Sequence, residues 1–202
     1  SFNSFKSMHF KEILNVFSKI VWLLFMEENG LVIVYTGKGK GKTTAALGIA
    51  LRATGYKKKI CMIQFIKGSW HYGEMDSSKK LEPEFEMVTV GKGFVGIIDD
   101  KSPIEDHKKI AEEAIKISNE KILSKNYDIV ILDEINYAVN LGLISVENVL
   151  NLIKSKPPKV DLILTGNYAK EEVIEIADLV TEMREIKHPF QRGIKAKKGI
   201  DF

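Results

Sequence analysis

Two clusters in this sequence have residue types and spacing that can do chemistry: Gly37-Lys38-Gly39-Lys40-Gly41-Lys42-Thr43-Thr44, and the acidic pair Asp133-Glu134. Polyphosphates bind where several backbone N–H groups converge at the positive end of a helix dipole, and alternating glycines let the backbone come that close. Lys42 adds a point charge, and the Thr43 hydroxyl is a standard oxygen ligand for Mg²⁺. Asp133 and Glu134 close an apolar run. Acids at the carboxyl end of a parallel strand lie where an open α/β sheet places its ligands, and there they hold Mg²⁺ together with the loop threonine. The two clusters together predict a magnesium-nucleotide site, with the glycine-rich loop on the phosphates and an acid of the Asp133-Glu134 pair sharing Mg²⁺ with Thr43.

The spelling of the loop departs from the usual phosphate-loop pattern in one place. G-x-x-x-x-G-K-S/T ending at Thr43 asks for glycine at Thr36, and here the glycine comes one residue later. A Gly/Lys-rich surface turn is the bland alternative. A dinucleotide fingerprint is disfavoured because it needs glycine where Lys42 stands. The acidic pair taken alone reads equally well as a helix cap, and its place after the loop favours the metal reading.

These groups need strands behind them and a helix after the loop. Leu31 to Val34 is a short β-branched run entering the loop, and Thr44 to Thr54 is a small-residue helical segment ended by Gly55. Further strands are expected at 59–65, 85–90, 128–132, 161–165 and 179–185, with helices at 103–125, 145–155 and 170–177. Pro103 and Ser145 supply start signals, and Pro157 with Pro158 supplies a stop. Residues 66–83, which include Trp70 and His71-Tyr72-Gly73-Glu74, read as a long functional loop. Alternating strands and helices predict an α/β fold of the P-loop NTPase, RecA-like type: a mainly parallel sheet of about six strands flanked by helices.

Composition sets outer limits. A chain of 202 residues with 45% apolar and 28% charged residues is one ordinary globular domain with modest extensions, and a net charge of +3 gives no argument for nucleic acid. The single cysteine, Cys61, excludes a disulfide or cysteine metal site within the chain, and His9, His71, His107 and His188 lack ligand spacing. No apolar run approaches the length of a membrane span, so the expected setting is cytoplasmic. Residues 1–29 form an N-terminal extension and 30–202 the nucleotide-binding domain. Within the extension, Phe10 to Phe25 has the apolar spacing of an amphipathic helix, read as a lid or partner contact, a helix packed on its own domain, or a non-native addition. Residue 1 is serine, which leaves Met8 or Met26 as alternative natural starts. From Arg184 to Lys198 six basic residues stand against one acid, either as a solvated segment or as a surface facing an anionic ligand.

Five segments in order, TGKGKGKTTAALG (36–48), QFIKGSWHYGE (64–74), ILDEINYA (131–138), LTGN (164–167) and HPFQRGIKAKKGIDF (188–202), resemble the P-loop type of ATP:corrinoid adenosyltransferase. The resemblance covers roughly residues 30 to 202. It implies an enzyme in which reduced cobalt, Co(I), of a corrinoid attacks C5′ of ATP and expels triphosphate, so that no protein general base is required. It further implies Mg²⁺ or Mn²⁺, ATP as co-substrate, and cobalamin or a cobyrinic acid derivative as acceptor. An electron donor such as a flavoprotein and a homodimer closed by the N-terminal segment are also implied. By position the resemblance implies Gly37 to Thr44 on the triphosphate, Thr43 and Glu134 on the metal with Asp133 as support behind them or an alternative ligand, and ATP lying in the loop in the reverse sense to ordinary NTPases. Lys42, Glu134 and Phe94 are the implied catalytic residues, and Arg52, on the helix after the loop, is a weaker candidate whose alternative is a surface arginine. Family members carry two aromatics where this chain has Gly93-Phe94-Val95-Gly96, so only Phe94 is present to help displace the corrinoid's lower axial ligand. A P-loop NTPase or kinase, and a non-catalytic nucleotide-gated corrinoid-binding protein, remain the alternatives.

Overall fold

A computed structural model of the chain describes residues 29–66, 71–90 and 103–201. The amphipathic stretch 10–25, Trp70 and the segment 93–96 with Phe94 lie outside the described residues.

Six strands form one all-parallel sheet: β1 (Val32–Thr36), β2 (Ile60–Gln64), β3 (Phe85–Thr89), β4 (Ile129–Asp133), β5 (Asp161–Thr165) and β6 (Leu179–Glu182), in the spatial order β3-β2-β4-β5-β1-β6. The helices are α1 (Lys42–Thr54), α2 (Gly73–Lys79), α3 (Ile104–Leu123), α4 (Ile135–Asn140), α5 (Val146–Ser155) and α6 (Glu171–Ile176), with a 3₁₀ turn at Pro189–Arg192. Every residue of β2 and β4 is buried, as expected of central parallel strands covered on both faces. On one face Val34, Leu132 and Leu164 pack with α3, α5 and α6. On the other, Ile131 and Ile163 meet Ala46, Ala50 and Ala53 of α1, whose short side chains bring that helix close to the sheet. Among the described residues no helix is long and apolar enough to cross a membrane.

The register carries the site. Gln64 pairs with Asp133 between β2 and β4, Leu132 with Leu164 between β4 and β5, and Tyr35 with Thr165 between β5 and β1. The carboxyl ends of β2, β4 and β5 therefore finish level, with Gln64, Asp133 and Thr165 along one edge, and Thr36 of β1 stands one residue beyond that row.

Three local details differ from expectation. Gly73–Lys79 is helical where a loop was expected; of these residues only Ser78 is buried, so no apolar periodicity marks the helix, although Glu74 and Asp76 in its first turn suit the helix dipole. The short helix α4, absent from the expected helices, starts directly after the acidic pair with Glu134 at its N-cap position, where the Glu134 side chain makes no capping hydrogen bond. β6 stops at Glu182 because Met183 turns to the phosphate loop: its N–H donates to Thr36 O (2.8 Å) and its carbonyl accepts from Gly39 N–H (2.7 Å). The cap on α5 is as expected, with Asn148 N–H donating to Ser145 Oγ (3.2 Å) and Ser145 N–H to Asn148 Oδ1 (2.9 Å).

Candidate active site

The loop between β1 and α1 wraps its own lysine. Lys42, 8% exposed, donates from Nζ to the carbonyl oxygens of Gly37 and Gly39, both at 2.8 Å. Burial lowers the Lys42 pKa from its ordinary 10.5, and the negative charges of Glu134 and Asp133 pull it partly back. A cation held short of full solvation next to empty space is prepared for an anion, which restores the charge balance that burial took away.

The shifted glycine has a local cause. β1 runs one residue further than the usual pattern allows, to Thr36, which pairs with Glu182 and accepts at Oγ1 from Ala169 N–H (3.1 Å). The chain must then turn at Gly37, where φ is +92° and a Cβ would stand 2.5 Å from Met183 O. Glycine at 37 thus answers the strand passing behind it.

Across from the loop, Asp133 is fully buried and surrounded by donors. Its Oδ1 accepts from Thr43 Oγ1 (2.8 Å) and Thr165 Oγ1 (2.7 Å), and its Oδ2 from Gln64 Nε2 (3.4 Å). Thr165 Oγ1 in turn accepts from Glu134 N–H (2.9 Å). Glu134 has a left-handed backbone, φ +62°, which for a non-glycine residue stores strain of order 1 kcal/mol and which it shares with Lys57, Lys125 and Tyr168. The turn leaves Asp133 inside the row and Glu134 at the cavity wall.

That cavity, about 470 Å³, is lined by Lys42, Thr43, Thr44, Leu47, Glu134 and Asp201 among others. A larger one, about 710 Å³, lies behind Gly37 and Lys38 against Tyr168 and Met183, but it lacks Lys42, Thr43 and Glu134, so the smaller is the one that gathers the side chains expected to bind phosphate and metal. Hydroxyl and carboxylate oxygens of Thr43 and Glu134 on one wall are the hard donors Mg²⁺ takes, with room for phosphate oxygens to complete its coordination. Among the described residues no three His, Cys, Asp or Glu side chains cluster into a ready-made metal cage. The residues fit an ion held jointly by protein and substrate.

The structure brings together Gly37 to Thr44, Asp133 and Glu134. Lys38 and Lys40 are exposed on the loop's rim, Lys38 with Nζ 5.9 Å from the Tyr168 ring centroid and Lys40 paired with Asp201. Arg52 is placed apart, exposed in the last turn of α1 at the end remote from the loop, about 15 Å of helix away. Sequence reasoning assigned no role to Gln64, Thr165, Met183, Tyr168 or Asp201. The first two sit in the QFIKG and LTGN segments at strand ends, which was their only signal.

The family model described as ATP:corrinoid adenosyltransferase BtuR/CobO/CobP matches residues 28–202. A corrinoid adenosyltransferase of Escherichia coli (strain K12) is 36% identical over 176 residues, covering 87% of each chain. One from Sinorhizobium sp. is 41% identical over 178 residues, 87% of this chain and 82% of the relative. Among solved structures, the flagellar accessory protein FlaH from Methanocaldococcus jannaschii has a similar fold, with a TM-score of 0.50 at 14% identity over 76% of this chain and 71% of that one.

Proposed function

The chain belongs to the ATP:corrinoid adenosyltransferase family, and from that membership we propose how its residues divide the work of moving the 5′-deoxyadenosyl group of ATP to the Co(I) centre of a corrinoid. In the transfer an electron pair on cobalt forms the bond to C5′ while the C5′–O bond breaks, and triphosphate departs with the bonding pair. The acceptor is itself the nucleophile, so the protein has no proton to remove from it. What remains for the chain is orientation, charge stabilisation on the leaving group and exclusion of water.

The observation that carries this division is Lys42, bonded inside the loop to the Gly37 and Gly39 carbonyls, next to Thr43, whose hydroxyl donates to the buried Asp133. Backbone N–H groups of the loop from Gly37 to Thr44, apart from that of Gly39, which donates to Met183 O, hold the triphosphate, and Lys42 matches the charge that grows on it. Thr43 and Glu134 would hold Mg²⁺ or Mn²⁺, whose contribution when bound is to neutralise phosphate charge. Asp133 keeps the Thr43 hydroxyl aimed and stands as the alternative ligand. Lys38 and Lys40 add positive charge at the rim. The reversed placement of ATP, with C5′ turned to the acceptor, and Phe94 beneath the corrinoid belong to the same proposal. So do a cytoplasmic homodimer, an electron donor such as a flavoprotein, and cobalamin or a cobyrinic acid derivative as acceptor.

Lys42→Ala tests the assignment. It removes the central cation and is expected to abolish transfer, a loss of roughly 10²-fold or more, as for deleting one preorganised charge-stabilising group. A fully active Lys42→Ala variant would remove the loop from the mechanism.

A further inference from the structure

The phosphate loop is held from outside by the segment that follows β6, and that segment returns to the loop a second time. Its first contact is at Met183, whose N–H and carbonyl bond Thr36 O and Gly39 N–H. The close fit is mutual: a Cβ on Gly39 would stand 2.8 Å from Met183 O, and the Met183 sulfur lies 3.3 Å from where a Cβ on Gly41 would sit. The chain then passes His188 and the 3₁₀ turn at Pro189–Arg192 and comes back with Gly199, Ile200 and Asp201 on the wall of the cavity that contains Thr43, Thr44 and Glu134. There the Asp201 carboxylate receives the Lys40 ammonium at Oδ1 and Lys197 N–H at Oδ2 (2.8 Å). The Asp201 side chain is 18% exposed, whereas that of Lys40 is 50% exposed. The hydrogen bond from Lys40 holds the Asp201 carboxyl below the usual carboxylate range, so it is charged at neutral pH.

We propose that Asp201 is a positioning residue for the leaving group: it ties Lys40 outward and thereby docks residues 183–201 as a strap that fixes the loop around the triphosphate. A lysine at the middle of an otherwise glycine-rich loop has two options when nothing restrains it. It can fold its ammonium across the mouth, or it can swing into water and take the flexible backbone with it. Tethered to Asp201, it does neither, and the loop backbone beside it keeps its place against Met183. The strap also places Gly199 and Ile200 along the open side of the cavity, where they narrow the approach of water to the phosphates. The opposite sign is the rival case: a carboxylate beside an anion site can act as a competitor that the triphosphate must evict. The backbone bonds at Met183 favour the positioning role, because they dock the start of the same segment against the loop independently of the carboxylate–lysine pair.

The inference rests on reading the loop as a triphosphate site, so its test includes inorganic triphosphate with Mg²⁺ as well as MgATP. Asp201→Asn keeps the shape and removes the charge. In the full chain it is expected to weaken binding of both ligands by about fivefold, the upper end for a partly exposed ion pair. KM for ATP should rise by the same factor with kcat within about twofold, and Asp201→Glu should restore both. Triphosphate should also slow tryptic cleavage after Lys195 and Lys197, and Asp201→Asn should speed it. Tighter or unchanged binding by Asp201→Asn, or faster cleavage when triphosphate is added, overturns the strap. If the unmodified chain binds neither ligand, the reading of the loop itself falls.

Discussion

At the scale of single residues, the site's behaviour turns on where Lys42 keeps its proton. Its pKa is lowered by burial, and the protonated form is the one that binds a triphosphate. Two opposite pH effects follow between the lowered value and the ordinary 10.5. The unfolded chain binds more protons in that window, so the nucleotide-free fold gains stability as pH rises through it. Nucleotide affinity falls through the same window, because each binding event must first supply the missing proton. A series of MgATP dissociation constants from pH 7 upward is expected to weaken before 10.5 is reached; a flat series to that value would place the lysine in ordinary solvation. Identity and spacing made Lys42, Thr43, Asp133 and Glu134 legible in the sequence. The partners of Asp133 were not, since Thr165 and Gln64 meet it only through the strand register. The pairing of Asp201 with Lys40 spans 161 positions, and nothing local in the sequence announces it.

At the scale of elements, the loop's shape depends on β6 stopping early and Met183 passing behind it. Gly39→Ala would push a methyl group into that passage, 2.8 Å from Met183 O and 2.9 Å from Arg184 C. The backbone on both sides must then yield, at about 1–3 kcal/mol of stability and at least a tenfold loss in MgATP affinity, measured by denaturant unfolding and calorimetry. Gly48→Ala on α1 is the control: a Cβ there meets nothing within 4 Å, and alanine in a helix is worth about 0.5–1 kcal/mol more than glycine. Equal effects at 39 and 48 would contradict the strap-and-loop contact. Strands were readable because β-branched runs between turn residues leave few alternatives, and β5 occupies the span expected for it. The helix α2 escaped because a short helix with one buried residue has no apolar face to betray it.

At the scale of the whole molecule, the sheet brings the ends of β2, β4 and β5 level, so that Gln64, Asp133 and Thr165 form one hydrogen-bonded row beside the loop. Strand order could not be read in advance, since it is decided by which apolar faces pair across distant parts of the chain. The amphipathic stretch 10–25 is proposed as a lid over a neighbouring subunit's site. If it is, removing residues 1–26 weakens corrinoid binding and leaves MgATP affinity nearly intact; unchanged corrinoid affinity removes the lid. Family membership carries the central claim, that the loop holds a leaving group instead of a phosphoryl donor, while Lys42, Thr43 and Asp133 supply the phosphate and metal site that either chemistry needs. The most direct measurement is anaerobic incubation of the protein with ATP, Mg²⁺ and chemically reduced cobalamin, following corrinoid absorption and the phosphate products together. The account predicts the absorption change of an alkyl–cobalt bond with triphosphate released one for one, whereas ADP and phosphate with an unaltered corrinoid spectrum would contradict it.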